Sequence, residues 1–323
     1  MRLLDSRVLA LAALVAASAP IPAHAQFARH EVIAFESASM PSQDFLTGKK
    51  GTPVSLAGVL RLPKFNEKNP VVILFHGAGG PGPAGGSVHE WARVLNEAGI
   101  ATFTVDSFSG RGIATLADAA RYHPVTRVVD AYRALDVLAK HPLIDTKKIA
   151  VMGFSQGGAP ALYSSMLRFQ KMHGNLDAQF AAHVSVYFDC NHSFHEDAAL
   201  AARPVLLLHG TADDWVPIGP CREYVARLTK AGMNVRLIEY ADAHHSFDAP
   251  GARETVRNPQ AITFRKCRFT EVDGSGIVNA ETKQPLSLSD PCIERGTTLH
   301  YNEAAAKKAH ADVVAFLKEA FAN

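Results

Sequence analysis

The sequence predicts an α/β protein in which helices cover both faces of a mostly parallel sheet. The first observation is a set of short apolar runs, such as VVILF at 71–75 and KIAVMGF at 148–154, that resemble strands buried on both faces. The second is that segments with helical spacing, such as residues 125–140, separate these runs. Parallel strands need long crossovers, usually helices, so the alternation favours one wound sheet.

The individual elements follow in order along the chain. Strands are expected at residues 54–62, 71–75, 100–106, 148–154, 183–189, 204–210 and 235–240. Helices are expected at residues 87–98, 125–140, 157–169, 220–231 and 303–321. Ser87 and Glu90 have capping-box spacing at the start of the first helix. The last helix has one apolar face, which should dock on the sheet.

Residues 248–299 differ from the rest of the chain. They are polar and rich in turn formers, with a hairpin signal at Asp273-Gly274. No internal repeat or low-complexity linker is visible elsewhere. We therefore expect a single domain over residues 26–323 that carries the stretch 248–299 as an inserted, cysteine-containing loop.

The first 25 residues resemble a signal peptide. Arg2 and Arg7 flank the charged start, and the apolar run Val8–Ser18 is too short to span a bilayer. Small residues at positions 23 and 25 predict cleavage after Ala25, which would leave a chain beginning at Gln26. A retained N-terminal anchor is the alternative. Because no other apolar stretch approaches membrane length, the pattern favours export to the periplasm or medium.

The composition and net charge of the chain limit which classes of partner are expected. Lys and Arg total 33 against 31 Asp and Glu, a formal net charge of +2 at pH 7. This near balance favours neither nucleic acid nor an anionic membrane as a partner. The 47% hydrophobic content is typical of a packed globule. The oligomeric state cannot be derived from these patterns.

The cysteines predict two disulfides. All four lie in the part expected to be exported: Cys190, Cys221, Cys267 and Cys292. Of the three possible pairings, short loops favour Cys190 with Cys221 and Cys267 with Cys292. A metal site is the alternative, but C-x-x-C spacing is absent from the sequence. His192 and His195 fall in an expected loop without a further ligand pattern, so no metal is expected.

The decapeptide VMGFSQGGAP, residues 151–160, holds the candidate nucleophile. Ser155 follows an expected strand, and Gly153 and Gly157 lie two residues to either side. A sharp strand-to-helix turn needs small residues there, and this G-x-S-x-G pattern is typical of a nucleophile elbow. The following helix would add N–H groups and positive partial charge where an oxyanion forms.

A serine nucleophile requires a base held by an acid, in the chain order Ser, Asp, His for this type of sheet. HGTADDWVP offers Asp213 and Asp214 after one expected strand. LIEYADAHHSF offers His244 and His245 after the next. Both candidate pairs lie at strand ends, which is independent of the G-x-S-x-G match, so a triad is expected.

The blocks GFSQGG, HGTADDWVP and AHHSF resemble the signature motifs of the dienelactone hydrolase family, and the likeness extends from about Val54 to the last helix. The resemblance implies an α/β-hydrolase fold. It implies Asp213 as the acid, with Asp214 as the alternative. It also implies His245 as the base, with His244 as the alternative.

The same resemblance implies an oxyanion hole built from the backbone N–H groups of Gln156 and Ala78, with Gly77 and Gly79 as alternative donors. The family's namesake uses a cysteine nucleophile, whereas this chain has Ser155. It is more similar to exported bacterial members, which carry a cysteine-containing segment before the last helix. The glycines of this loop could also form only a flexible surface turn.

Two further residues are candidates for substrate binding. Arg111 follows an expected strand and could bind a substrate carboxylate, or it could pair with a local acidic group and order the turn. Trp215, next to the candidate acid, could line the pocket or cover the acid loop. Trp91 is expected in the core.

These observations predict a serine hydrolase that cleaves a small-molecule carboxylic ester or lactone through an acyl-enzyme, without a cofactor. Amide or peptide cleavage shares the same residues and stays open. An exported binding protein with an inactive triad on the same scaffold is the alternative from another class.

Overall fold

The computed structural model describes residues 29–322 apart from residues 65, 83–85, 176 and 275, and the predicted signal peptide lies outside the described residues. The strands are β1 (Arg29–Ser39), β2 (Thr52–Leu62), β3 (Asn69–Phe75), β4 (Ala101–Asp106), β5 (Ile144–Phe154), β6 (Ala182–Val186), β7 (His192–Ser193), β8 (Val205–Gly210), β9 (Val235–Tyr240), β10 (Val256–Thr263), β11 (Phe269–Val272), β12 (Gly276–Asn279) and β13 (Glu294–Leu299). The helices are α1 (Ser42–Leu46), α2 (Gly86–Glu97), α3 (Leu116–Arg121), α4 (Val128–Leu138), α5 (Gly158–Tyr163), α6 (Leu167–His173), α7 (Gly219–Lys230) and α8 (Glu303–Ala322).

Within the described residues, eight strands form the central sheet in the order β1-β2-β4-β3-β5-β6-β8-β9. From β4 to β9 every neighbouring pair is parallel. Only β1 and β2 add antiparallel pairs at one side. The carboxyl ends of β3, β5, β6 and β8 therefore share one edge of the sheet, which brings the loops after them together.

The core lies on both faces of this sheet. In β3, Val71 and Ile73 face the apolar cluster that includes α4, α5 and α7. Val72 and Leu74 face the opposite cluster, which includes α2 and α8. All four side chains are fully buried, and burying each contributes about 1.5–3 kcal/mol. Burial on alternate sides explains why the run VVILF is apolar without a break, and the predicted doubly covered parallel sheet is confirmed.

The helix expected at residues 157–169 is interrupted. α5 ends at Tyr163 and α6 begins at Leu167. Between them, Met166 is extended and forms a bridge with Leu200. The Ser165 carbonyl accepts from Ala201 N–H at 2.7 Å. Pairing with this distant segment replaces helical bonds, which local spacing alone cannot foretell.

The expected capping box at Ser87 is wrong. α2 begins at Gly86, so Ser87 lies inside the helix, where it is buried. Its hydroxyl donates to Asp248 Oδ1 at 3.0 Å instead of capping the helix. A tertiary partner 161 residues away therefore fixes this side chain.

The stretch expected to be a loop, residues 248–299, contains short strands. β10 pairs with β13, and β11 pairs with β12 in a hairpin around the predicted Asp273-Gly274 turn. β11 also pairs in parallel with β7, outside the stretch. The polar character reflects thin sheets with exposed residues, not the absence of regular structure.

Both predicted disulfides are present in the structure. Cys190 is bonded to Cys221 across 31 residues, and Cys267 to Cys292 across 25. Among the described residues, helices are too short or too polar to cross a membrane. In the same part of the chain, His, Cys, Asp and Glu side chains form no group of three or more that could hold a metal ion.

Candidate active site

Ser155 lies at a sharp turn between β5 and α5. Its φ of 50° is in the left-handed region, which is uncommon for a residue other than glycine. A Cβ on Gly153 would lie 1.7 Å from the carbonyl oxygen of Gly157, and one on Gly157 would lie 2.3 Å from that of Phe75. Any larger residue at either position would push the turn away from the sheet. The backbone thus has the shape of a nucleophile elbow.

Two hydrogen bonds connect the serine to a histidine and an acid. Ser155 Oγ lies 3.0 Å from His245 Nε2, and His245 Nδ1 lies 2.8 Å from Asp213 Oδ2. His245 and Asp213 are buried, while Ser155 is half-buried. In this arrangement the imidazole can take the serine proton while the carboxylate holds the opposite N–H.

The Asp213 carboxylate is fixed by its own loop. Its Oδ1 accepts from the backbone N–H groups of Trp215 at 3.0 Å and Val216 at 2.8 Å. A Cβ on Gly210, at the end of β8, would lie 2.1 Å from the carbonyl oxygen of Ala243. This close approach brings the loop after β8 against the turn that carries His245.

The alternative candidates, Asp214 and His244, make contacts away from Ser155. Asp214 accepts from the backbone N–H and the hydroxyl of Thr298, both at 2.8 Å, and so joins the acid loop to β13. The His244 ring lies 6.3 Å from that of His300, and its Nδ1 is buried without a partner among the described residues. The structure therefore brings Asp213 and His245 to Ser155, and not Asp214 or His244.

A buried carboxylate anchors the histidine turn. Asp248 is fully buried and accepts from Ser87 Oγ at 3.0 Å, Trp91 Nε1 at 2.6 Å and Tyr187 Oη at 2.9 Å. The Tyr187 ring packs against the His245 ring, with centroids 4.8 Å apart. Sequence reasoning missed Asp248 and Tyr187, because only the folded chain brings these distant side chains together.

The residues just before α8 complete the same turn. His245 forms a bridge with Leu299 of β13. Asn302 N–H donates to the Phe247 carbonyl at 2.9 Å, and Tyr301 N–H donates to that of Ala252 at 2.7 Å. The turn is therefore fixed from both sides, by Asp248 and by the residues that precede α8.

The loop after β3 lies beside the serine. A Cβ on Gly77 would contact Ser155 Cβ at 3.3 Å. His76 is buried, and burial together with the charge of Arg127 lowers its pKa to about 3, so it is neutral. Its Nδ1–H donates to the Gly77 carbonyl at 2.8 Å, and its Nε2 accepts from Ser107 N–H at 3.3 Å. These bonds fix the loop whose next residue, Ala78, is the expected oxyanion donor.

Gln156, the other expected donor, lies in the 3-10 turn Ser155–Gly157 and is half-buried. Gly79 is exposed, and Gly77 directly faces Phe154 and Ser155. Gln156 and Gly77, which precedes Ala78, therefore both border Ser155. An oxyanion bound between two such backbone segments would be stabilised by their N–H groups.

Arg111 does not face a substrate site. Its guanidinium is buried and forms a bidentate pair with Asp130, at 2.7 and 2.9 Å. The remaining donors reach Ser39 Oγ and the carbonyls of Ala38 and Ser107. Because every N–H already has an acceptor, Arg111 fits the second of the two roles left open, a residue that pairs with a local acidic group and orders the turn.

Trp215 borders the histidine and also holds the inserted stretch. Its ring centroid lies 5.2 Å from that of His245. Its Nε1–H donates to the Ile262 carbonyl at 3.0 Å, and its own carbonyl accepts from Thr263 Oγ1 at 2.6 Å. Trp215 thus covers the acid loop, which is one of the two roles that the sequence left open for it.

A mostly parallel sheet with a serine elbow after β5, an acid after β8 and a histidine after β9 is the arrangement of an α/β-hydrolase. A sequence model of the dienelactone hydrolase family matches residues 56–321. The chain therefore belongs to the dienelactone hydrolase family, as its motifs predicted, and it is a hydrolase of that fold.

Solved structures and curated proteins extend the comparison. P91, a dienelactone hydrolase-like promiscuous phosphotriesterase from metagenomic libraries, superposes with a TM-score of 0.55 at 18% identity, covering 90% of this chain and 98% of that one. At this identity the likeness shows the fold alone. Acylamino-acid-releasing enzyme 1 of Oryza sativa subsp. japonica is 26% identical over an alignment of 156 residues, and the match covers 38% of this chain and 20% of that protein. The uncharacterized peptidase YuxL of Bacillus subtilis (strain 168) is 26% identical over an alignment of 149 residues, and the match covers 38% of this chain and 22% of that protein. The chain thus spans about a fifth of the length of these curated relatives.

Proposed function

We propose that this protein is a serine hydrolase that cleaves small-molecule carboxylic esters or lactones through an acyl-enzyme. The observation that carries the proposal is the pair of hydrogen bonds that joins Ser155 to His245 and His245 to Asp213, at 3.0 and 2.8 Å. Ser155 is the nucleophile, His245 the general base and Asp213 the acid that holds it. Membership of the dienelactone hydrolase family supports the same reaction class.

The steps follow from this geometry. Ser155 Oγ attacks the ester carbonyl carbon as its proton moves to His245 Nε2, and the oxyanion binds the N–H groups of Gln156 and Ala78. The protonated His245 then gives its proton to the leaving alkoxide, which leaves an acyl-serine. Water attacks the acyl carbon, His245 takes the water's proton and returns it to Ser155, and the carboxylic acid departs. These steps need no cofactor.

Amide cleavage uses the same steps with an amine as leaving group. The partial similarity to an acylamino-acid-releasing enzyme and to a peptidase makes it the second candidate. Protonation of the leaving amine by His245 would then become the demanding step. A panel that pairs 4-nitrophenyl esters with 4-nitroanilides of the same acids separates the two activities.

We also propose that residues 26–323 act as one exported domain after cleavage following Ala25. Two disulfides support an oxidising compartment. Contacts of Trp215 with Ile262 and of Asp214 with Thr298 support a single unit, because the inserted stretch is bonded to the acid loop.

The first test is labelling with a fluorophosphonate, read by intact mass, together with hydrolysis of 4-nitrophenyl acetate. We expect one adduct on the parent protein and none on Ser155→Ala. We expect His245→Ala and Asp213→Asn to lower kcat/KM by at least about 10³-fold. Asp214→Asn is the matched control and should stay within about tenfold of the parent.

A folded parent that forms no adduct and hydrolyses no ester would contradict the proposal and favour an inactive binding protein. Equal loss of activity in Asp213→Asn and Asp214→Asn would contradict the assignment of the acid. Circular dichroism of each variant shows whether it is folded.

A further inference from the structure

The segment that follows β6 borders the serine elbow. β5 and β6 are parallel neighbours with Phe154 opposite Val186, so the residues after each strand leave the same edge of the sheet. A Cβ on Gly158, at the start of α5, would lie 2.3 Å from Phe188 Cβ. The next residue is Asp189, which takes no part in the steps described above.

This segment carries polar atoms without partners. Asp189 Oδ1, Asn191 Oδ1 and His192 Nδ1 are buried and have no hydrogen-bond partner among the described residues. Buried polar atoms are nearly always bonded, so three orphans on one short segment require an explanation. The Asp189 side chain is nevertheless 26% exposed, so part of this side chain borders accessible space.

The surrounding groups define the chemistry of this space. Asp189 Oδ1 lies 3.8 Å from His192 Nδ1, too far for a direct hydrogen bond. The His192 side chain is only 7% exposed, and the His123 ring packs on it with centroids 5.2 Å apart. Burial lowers the pKa of both histidines, so the ring next to the carboxyl, that of His192, is neutral.

Asp189 also interacts electrostatically with His245 of the candidate active site. Burial raises the pKa of its carboxyl to about 7, and the charge of His245 opposes that rise. Tyr163, on α5, also lies within electrostatic reach of Asp189. A perturbed carboxyl beside a candidate nucleophile is typical of a functional site.

We propose that Asp189, supported by His192, binds a hydroxyl group of the substrate, so that the enzyme prefers hydroxylated esters. A hydroxyl can donate to an ionised carboxylate and accept from a protonated one, so it suits this carboxyl on either side of neutral pH. An ammonium group would lose the negative charge of its partner when Asp189 is protonated, and a second carboxylate would be repelled when Asp189 is ionised. The inference rests on the proposed ester hydrolysis and names its substrate class.

The unpaired polar atoms determine how strongly the enzyme should prefer a hydroxylated substrate. A site built to hydrogen-bond a hydroxyl rejects the analogue that lacks it, because its polar groups then stay unpaired. We therefore expect a hydroxyl to raise kcat/KM by at least about tenfold over a methyl group at the same position.

The test compares matched esters. One series consists of methyl arylacetates and the other of 2-arylethyl acetates, each with a hydroxyl or a methyl group at the ortho, meta or para ring position. The two series probe the acyl and the alcohol sides. In the parent, at least one hydroxyl-to-methyl ratio of kcat/KM should be about ten or more. In Asp189→Leu that ratio should fall to about one.

The hydroxyl-to-methyl ratio distinguishes substrate recognition from a merely structural role. A partly misfolded enzyme loses activity toward both esters of a pair equally, so its ratio does not change. His192→Phe, which keeps an aromatic ring, should also lower the ratio. Ser193→Ala, an exposed residue of the same segment, is the matched control and should leave the ratio unchanged. If Asp189→Leu does not fold, Asp189→Asn takes its place, and its ratio must fall below that of the parent.

Ratios near one at every position in the parent, or a ratio kept in a folded Asp189 variant, would overturn this inference alone. Failure of the parent on both series, together with no fluorophosphonate adduct, would instead overturn the proposed function on which it rests. Fast hydrolysis of the methyl series shows that the hydrolase is intact in the first case.

Discussion

The geometry of Ser155 depends on residues outside the Ser155–His245–Asp213 hydrogen bonds. Its backbone is held in the left-handed region because Gly153 and Gly157 let the turn press against the sheet. His245 in turn depends on Asp248, a fully buried carboxylate with three donors, and on the ring of Tyr187. The side chains of the candidate site are thus supported by a layer of buried polar contacts.

Asp248→Ala should destabilise the protein and lower its activity. The change leaves the donors of Ser87, Trp91 and Tyr187 unpaired in the core, which should lower the free energy of unfolding by about 3–5 kcal/mol. Because the anchor of the histidine turn is lost, kcat should fall even where the variant is fully folded. Urea unfolding and kcat for 4-nitrophenyl acetate measure both effects.

Asp242→Asn is the control for this prediction, since Asp242 is exposed and lies in the same turn with a φ of 53° that asparagine tolerates. It should change neither quantity appreciably. An Asp248→Ala protein as stable and as active as Asp242→Asn would show that the buried network does not support the site.

The principal contacts of the site could be predicted from the residues alone, because strand ends, chain order and the glycine spacing restrict where Ser155, Asp213 and His245 can lie. Asp248 could not be predicted, since its partners are 61 to 161 residues away in sequence. Arg111 shows the opposite case. The sequence left two roles open, and only the contact with Asp130 decides between them.

At the scale of elements, long apolar strands and amphipathic helices were predictable because their residues are buried in a regular period. β1 was not predicted, because at the edge of the sheet its exposed and buried residues mix polar and apolar types. The thin sheets of residues 248–299 were missed for the same reason. The break between α5 and α6 depends on pairing with residues 199–201, which no local pattern reveals.

The Cys190–Cys221 disulfide joins the segment after β6 to α7, which follows the acid loop. Replacing both cysteines by alanine should lower the free energy of unfolding by about 3–4 kcal/mol, from the loop of 31 residues that it closes. Activity should fall at temperatures where the core is still folded, because both flanking loops border the site. Activity and circular dichroism measured over the same temperature range test this.

The Cys267–Cys292 pair is the natural comparison, since it closes a loop of 25 residues and should stabilise to a similar extent. Its removal should affect the inserted stretch before the activity. If both double variants lose activity and ellipticity together, the first disulfide has no special link to the site.

For the whole molecule, Asp189 makes stability depend on pH. Its pKa is raised from 3.8 to about 7 on folding, mainly by burial. Between these values the folded state holds a proton that the unfolded state releases, so this residue's contribution to stability is present near pH 4 and is lost as the pH rises through 7. Asp189→Asn removes the ionisation, so it should be more stable than the parent at pH 8, by about 1–3 kcal/mol.

The measurement is urea unfolding of parent and variant at pH 4 and pH 8. The difference in the free energy of unfolding should be small at pH 4 and favour Asp189→Asn at pH 8. Ser193→Ala, in the same segment, should show no such change with pH. A difference equal at both pH values would mean that Asp189 is not protonated preferentially in the folded state.

The turn that carries His245 is completed by Leu299, Tyr301 and Asn302, which lie far beyond Ser155 in the sequence. A polypeptide grows from its N-terminus, and domains fold as their last contacting segment becomes available. A nascent chain that already contains Ser155 therefore lacks the residues that fix the turn of His245. During synthesis the proposed base can reach its place beside the serine only after residues 299–302 have also been made.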